Sequence, residues 1–341
     1  MTDQVNVQHA IESHRGRART PSVMIGIVNH NRSHETIECI KSLQQCTYPN
    51  IEILIIDNGS TDDSVERIRK AFPSIALICS GKNVGPAGGR NIIFRTAREK
   101  LLGYLLILDN DTVVEKGFLE PLVNALEIDR EAVVAGGTIL EYENPERIWY
   151  AGGRLVPLRG LAVHEQTGKK FDPSSAGCIR PVSFVSSCLM MYRASMLDRI
   201  GWQDERFFPR LEDIEHAARI HRMGYKQLYV PESIIYHKVA GEKESTFKLY
   251  YSVRNRLLLA REGFGGVAGT LATAYFLAVI IVKLALWRLF RRDFYLAARA
   301  GLVDYFRGNF GEGKGMINFP DARTQMTSND RCATRQGSGT T

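Results

Sequence analysis

Short apolar, β-branched runs alternate with amphipathic stretches through the first third of the chain. Residues 23–28, VMIGIV, predict a buried strand that runs out at Asn29-His30-Asn31. Ser33 stands where a helix cap is expected, and Ile37, Ile40 and Leu43 share one face of the helix behind it. Tyr48-Pro49-Asn50 breaks that helix, and residues 51–57, IEILIID, form a second strand. After Asn58-Gly59, Ser60 and Asp63 have the spacing of a capping box, with Val65, Ile68 and Phe72 on one helix face. Residues 75–79 predict a third strand. The stretch GKNVGPAGGRN predicts a turn with a helix from about Asn91, and residues 104–109, YLLILD, predict another buried strand.

Strand and helix alternating over short connections predict an α/β fold with a mostly parallel, doubly wound sheet and helices on both faces. Ligands bind such sheets beyond the carboxyl ends of the strands. Asn29, Asp57, Asn83 and Asp109 all stand at or just past strand ends. From Phe118 the pattern is mixed. Residues 150–180 read as loops, residues 183–192 as a buried strand, and residues 212–224 as a helix with Ile214, Ala217, Ala218 and His221 inward and Gly224 as its stop. There is no internal repeat.

Residues 265–282 carry no charge, and Lys283, Arg288, Arg291 and Arg292 follow, interleaved with Trp287, Phe290, Phe294 and Tyr295. Three readings are open: a helix lying in an anionic membrane surface, a spanning helix, and two buried helices of a soluble domain. The expected organisation is a flexible arm (1–20), a first half-domain (21–112), a second (113–240), a helical membrane-associated region (241–320) and a polar tail (321–341).

Composition narrows the picture modestly. The chain has 341 residues, 44% apolar and 24% charged, with a formal net charge of +7 and a pI near 9.1. Basicity suits anionic partners such as nucleotide phosphates and acidic lipids. No RNA- or DNA-binding motif is present, so no nucleic-acid partner is expected. None of the six cysteines falls in a CxxC pair, and the polar N-terminus does not read as a secretory signal. Reduced, mostly buried thiols in a cytoplasmic protein are expected.

Four features carry candidate chemistry. Asp109-Asn110-Asp111 sets two carboxylates together just past a strand, where a hard cation, Mg²⁺ or Mn²⁺, would relieve their repulsion; a solvated turn is the other reading. Gly85, Ala87, Gly88 and Gly89 open a helix and let a ligand approach its backbone, with Arg90 adding positive charge; a plain connection is the alternative. The first strand lacks GxGxxG, against a nicotinamide site. Glu212, Asp213 and Glu215 crowd a helix start, whose dipole keeps a general base ionised or is merely complemented by the charge. His237 closes an apolar stretch, the usual setting of a structural histidine.

In this order, VNHNR, DNGSTDDS, NVGPAGGRN, DND, LEDIEHAAR and His237 resemble the family-2 glycosyltransferases of the GT-A fold, over about Val23 to His237. NVGPAGGRN, the FF…ED element and the later YYSVRN resemble the rhamnosyltransferase-like branch. The resemblance implies an inverting enzyme that takes a dTDP- or UDP-sugar, dTDP-rhamnose first, to a glycan or lipid-linked acceptor. It implies that Asp57 and Asn29 line the nucleotide-base pocket, with Asn83, Gly85, Arg90 and Asn91 holding the donor. Asp109 would lie near ribose and metal, Asp111 and His237 would bind the metal, Asp213 would be the base, and Glu212 and Glu215 would position the acceptor. His30 replaces a usual aromatic residue, and Glu215-His216 stands where an aspartate is common. The implied location is the inner face of the cell membrane, peripheral or integral. The competing functions are a non-catalytic nucleotide-sugar or glycan-binding protein and a nucleotidyltransferase.

Overall fold

A computed structural model of the chain describes residues 20–175, 177–238 and 244–313. The expected tail from residue 321, all but Thr20 of the expected N-terminal arm, and Cys332 lie outside them.

The sheet begins with β1 (Val23–Asn29), β2 (Ile51–Asp57), β3 (Ala76–Cys79) and β4 (Tyr104–Asp109). All four run parallel in the order β4-β1-β2-β3. Between them run α1 (Ser33–Leu43), α2 (Ser64–Ala71) and α3 (Gly85–Arg98). Alternate side chains of each strand point to opposite faces. Val23, Ile25, Ile27, Leu106 and Leu108 build one core with Ile40, Leu43 and Ile68. Met24, Leu54, Ile56, Leu105 and Ile107 build the other with Ile93, Phe94 and Ala97 of α3.

The second half adds β5 (Thr112–Val114), α4 (Leu119–Ile128), β6 (Ala132–Glu141), β7 (Ile148–Tyr150), β8 (Gly153–Val156), β9 (Leu161–His164), β10 (Arg180–Val182) and β11 (Leu189–Arg193). Then come α5 (Leu197–Ile200), α6 (Glu212–Arg222) and β12 (Lys226–His237). Eight strands follow the order β10-β12-β6-β11-β4-β1-β2-β3, with β5 added on β12 and β7 on β6. The mostly parallel sheet is thus a mixed one: β11 enters antiparallel between β4 and β6, while β12 pairs parallel with β6.

Several sequence expectations shift. The glycine run is helical from Gly85 rather than a turn up to Asn91, because Gly88 and Gly89 let α3 close on Val84 and Val28, where a Cβ would come within 2.7 and 2.9 Å. Neither Ser33 nor Ser60 is a cap: α1 starts at Ser33 without a side-chain cap, α2 starts at Ser64, and Ser60 instead bonds Asp57. The strand expected over 183–192 is confined to Leu189–Arg193, since Phe184 only bridges to Gly153. On α6, Ala217 and Ala218 are buried as expected, with Ile214 packed against the core, but His221 is exposed and His216 is buried in addition. Of the described cysteines, Cys39 and Cys188 are buried, Cys46 is half-buried, and Cys79 and Cys178 are exposed.

The chain ends in helices: α7 (Thr246–Leu259), a π-helical segment (Ala260–Phe264), α8 (Gly266–Phe290) and α9 (Arg292–Arg307). Tyr250, Val253, Leu257, Phe276, Ile280, Phe294 and Ala297 form their shared core. Gly301 of α9 lies so close to α7 that a Cβ there would meet Tyr250 O at 2.6 Å. Along α8 only Gly269, Ala272, Phe276 and Ile280 are buried.

The tightest approach between sheet and helix is testable. A Cβ at Gly26 in β1 would lie 2.3 Å from Ile93 Cγ2. Gly26→Ala is expected to lower unfolding free energy by about 1–3 kcal/mol in urea melts; an unchanged midpoint would mean that α3 shifts away without cost.

Candidate active site

β1 is the switch point of the sheet: the chain leaves it for β2 on one side and later places β4 on the other. Register aligns Asn29 with Asp57 and Val28 with Asp109, so three polar side chains leave the sheet at one edge. Asp57 is buried. Its Oδ1 accepts from Asn29 Nδ2 (2.9 Å) and Ser60 Oγ (2.6 Å), and its Oδ2 from Ser60 N (3.0 Å). A carboxylate takes about four hydrogen bonds, so roughly one acceptor position remains for a ligand. Asn83 Oδ1 accepts from Asn58 Nδ2 (3.2 Å) and Gly85 N (2.9 Å), while its amide meets His30 Nε2 at 3.2 Å.

The turn after β4 folds Asp111 back, and β5 then pairs with the end of β12, with Thr112 opposite His237. This brings His237 Nε2 to 3.2 Å from Asp111 Oδ1. Arg32 reaches Asp111 Oδ2 at 3.2 Å. Burial alone would raise the Asp111 carboxyl, but the hydrogen bond and charge of His237, with Arg32, hold it below the usual carboxylate range. Burial opposes the charged form of His237, yet the Asp111 bond and the charges of Asp111 and Asp109 raise its pKa. Among the described residues no three His, Cys, Asp or Glu side chains gather closely enough to hold a metal by themselves. Asp111 and His237 form a two-donor edge, which fits a divalent cation whose shell is completed by substrate phosphate oxygens and water.

Arg90, 6% exposed, points from α3 into this edge. It donates to Asp109 Oδ1 at 3.1 Å and Glu212 Oε1 at 2.9 Å. Loss of bulk water pushes the Asp109 and Glu212 carboxyls up, and Arg90 offsets only part of this, so both stay above the usual carboxylate range. Beside Glu212, Asp213 accepts from Ile214 N at 2.8 Å, and the Ser187 hydroxyl stands 3.4 Å from its other oxygen.

The structure therefore brings together Asn29, Asp57, Asn83, Gly85, Arg90, Asp109, Asp111, Glu212, Asp213 and His237. Two expected residues are engaged elsewhere. Asn91 donates to Gln203 O (2.9 Å) and Glu205 Oε1 (2.8 Å), fastening the 203–205 segment to α3. Glu215 pairs with Arg219 at 3.0 Å, whose guanidinium is bound to Ile200 O and Trp202 O. Sequence reasoning left out Arg32, Ser187, Trp149 and His164. Arg32 sits inside VNHNR and was readable as the cation beside the acids. Trp149 carries no such signal; its ring touches His237 and His164 edge-on, with centroids 4.7 and 4.6 Å apart.

The glycosyl transferase family 2 model matches residues 24–201, more than half of the chain. The chain belongs to glycosyl transferase family 2. It is a glycosyltransferase. It is 24% identical to the N-acetylglucosaminyl-diphospho-decaprenol L-rhamnosyltransferase of Mycobacterium tuberculosis, over 58% of this chain and 70% of that protein. In fold it resembles GalNAc-T7 solved with UDP, GalNAc and Mn²⁺, at TM-score 0.54 and 17% identity over 80% of this chain and 59% of that one. It also resembles the mannosyltransferase of Pyrobaculum calidifontis in complex with GDP-Man and Mn²⁺, at TM-score 0.51 and 16% identity over 92% and 85%. The GT-A type of fold is thus observed, and family-2 membership favours a glycosyltransferase over a nucleotidyltransferase or a non-catalytic binding module.

In this glycosyltransferase the Asp111–His237 pair sets a pH dependence. His237 has a raised folded pKa, so its contribution is complete below the ordinary histidine value and fades as pH rises through the raised one. Asp111 has a depressed pKa, so its share is lost only as pH falls through that value. In chelator, wild type is expected to exceed His237→Gln in stability by about 1–2 kcal/mol near pH 5.5 and by much less near pH 8.5. Urea melts at both pH values check this; a gap that widens with pH would refute the pair.

Proposed function

We propose that the enzyme is an inverting transferase that moves a sugar from a nucleoside diphosphate to a hydroxyl of a glycan or lipid-linked acceptor. The single observation that carries this is the Arg90 bridge, which ties Asp109 at the strand end to Glu212, the chain neighbour of Asp213. In this reading residues 21–112 hold the donor, with Asp57 and Asn29 at the nucleotide base, and residues 113–240 hold the acceptor. Asp213 takes the proton of the acceptor hydroxyl as its oxygen attacks the anomeric carbon from the face opposite the diphosphate. The bond to the diphosphate breaks with its electron pair on the leaving oxygen, so one base suffices. Mg²⁺ or Mn²⁺ bound at Asp111 and His237, with Asp109 nearby, would neutralise charge on the diphosphate as a Lewis acid. Arg90 favours the ionised forms of Asp109 and Glu212 against the burial that opposes them. The L-rhamnosyltransferase of M. tuberculosis supports rhamnose as the first sugar to test, with dTDP-rhamnose the first donor and UDP-hexoses next.

Donor calorimetry with dTDP-rhamnose, UDP-glucose, UDP-galactose and GDP-mannose, with Mn²⁺ or with chelator, tests the site. One donor is expected to bind in a metal-dependent manner that Asp111→Ala abolishes, and Asp213→Asn is expected to cut turnover at least about 10²-fold while keeping donor binding. Near-full turnover in Asp213→Asn would remove it as the base.

The acceptor reading extends to the membrane, at the cytoplasmic face. α8, 25 residues long, is by length and composition long and apolar enough to cross a bilayer. In-plane insertion is the better-supported reading. The stripe Gly269–Ile280 is packed along the protein, with Gly160 against Ala272, while Val267, Leu271, Ile281, Val282, Leu289 and Phe290 are uncovered. Lys283, Arg288 and Arg292 would meet anionic headgroups. Vesicles containing phosphatidylglycerol should bind the protein, and Leu271→Glu/Val282→Glu should weaken binding at least about tenfold; unchanged binding would exclude this face.

A further inference from the structure

The YYSVRN stretch, residues 250–255, falls outside the span of the family match and has no place in the mechanism above. It lies in α7, and its last two side chains reach the short loop that leads into α6. That loop ends in two residues of unusual backbone. Arg210 and Leu211 have φ of +82° and +70°, a region that side-chain-bearing residues rarely adopt. Leu211 is also the residue before the first turn of α6, and no side chain caps that turn. Nothing local favours this conformation, so something else must hold it.

Asn255 and Arg254 do so. Both are fully buried. Asn255 Nδ2 donates to Pro209 O and to Arg210 O, each at 3.0 Å. Arg254 donates through Nη2 to Phe208 O at 3.0 Å, with Arg206 O at 3.5 Å, and through Nε to Asn255 Oδ1 at 3.0 Å. Its guanidinium lies over the rings of Tyr251 and Tyr250, 4.8 and 5.5 Å from their centroids. No ion pair of the described residues includes it. A buried cation satisfied by main-chain carbonyls and ring faces is committed to shaping that main chain. Oxygens of residues 206, 208, 209 and 210 are gathered by two neighbouring side chains, and Asp213 follows directly.

We infer that Arg254 and Asn255 are positioning residues for Asp213. They hold the left-handed turn at 210–211 that starts α6 with its first carboxylates at the strand-end edge. The inference rests on Asp213 being the base. It also makes the C-terminal helices part of the transferase site, since α7 reaches it without contributing a group to the chemistry.

Asn255→Asp is the decisive variant. It keeps the size and the oxygen that accepts from Arg254, but turns an oxygen toward the two carbonyls in place of N–H groups. Turnover should fall about 10²-fold, as a displaced catalytic group predicts, while donor affinity by calorimetry stays within about twofold. Adding Asn255→Asp to Asp213→Asn should cause no further loss, because the clamp acts through Asp213. Adding Arg210→Gly should recover about tenfold of the lost turnover, because glycine adopts positive φ freely. Arg254→Lys provides the same set of measurements if Asn255→Asp does not fold. Unchanged turnover, an equal loss in the Asp213→Asn background, or no recovery with Arg210→Gly would each overturn the clamp. Near-full turnover in Asp213→Asn alone would instead overturn the base assignment, separately from any result at Asn255.

Discussion

One guanidinium joins the two halves of this molecule. Arg90 leaves α3, crosses the end of β4 and meets Glu212 at the start of α6, 122 residues further along the chain. A cation buried to this degree is tolerable only with its charge matched, and the two carboxylates that match it are equally dependent on it. The close seating of α3 on β1, where Gly89 meets Val28, brings the guanidinium to this depth. The distance between the edge expected to meet a nucleotide and the helix start that carries Asp213 is therefore set by a rigid, two-pronged contact rather than by loops.

Around that contact the charges are arranged in opposition. Asp109 and Asp111 lie close enough to disfavour each other's ionisation, and each has a separate cation, Arg90 for the first and Arg32 with His237 for the second. An edge balanced in this way can exchange one of its cations for another without rebuilding the backbone. His237 is the group suited to that exchange, because its charge alone is removable near neutral pH.

The first half of the fold was largely legible. Buried parallel strands read as continuous apolar runs, and VMIGIV, IEILIID and YLLILD lie close to their predicted bounds. Capping did not read correctly, because Ser60 had a competing use as a hydrogen-bond donor to Asp57 that depends on the neighbouring strand. β11 was placed too early because Phe184, Val185 and Cys188 are buried without belonging to the strand, Phe184 bridging only to Gly153 beside β8. For the site, the strand-end acids followed from local pattern, whereas the meeting of His237 with Asp111 depends on the register of β5 against β12. Family resemblance supplied that pairing; periodicity could not. Glu215 and Asn91 show the opposite limit, since a polar residue in a motif can equally be spent on holding its own helix in place.

The hairpin of β8 and β9 has a consequence for substrate size. Its turn rests on α8 through Gly160, and β9 climbs from there to His164, whose ring meets Trp149 and through it His237. Four residues of strand rise about 13 Å. Were α8 to lie in the headgroup layer, as proposed, that hairpin would act as a spacer between lipid and the proposed reaction centre. An acceptor hydroxyl would have to project by about the length of a diphosphate and one or two sugar rings to reach Asp213, so the enzyme would select its acceptor by reach as well as by shape.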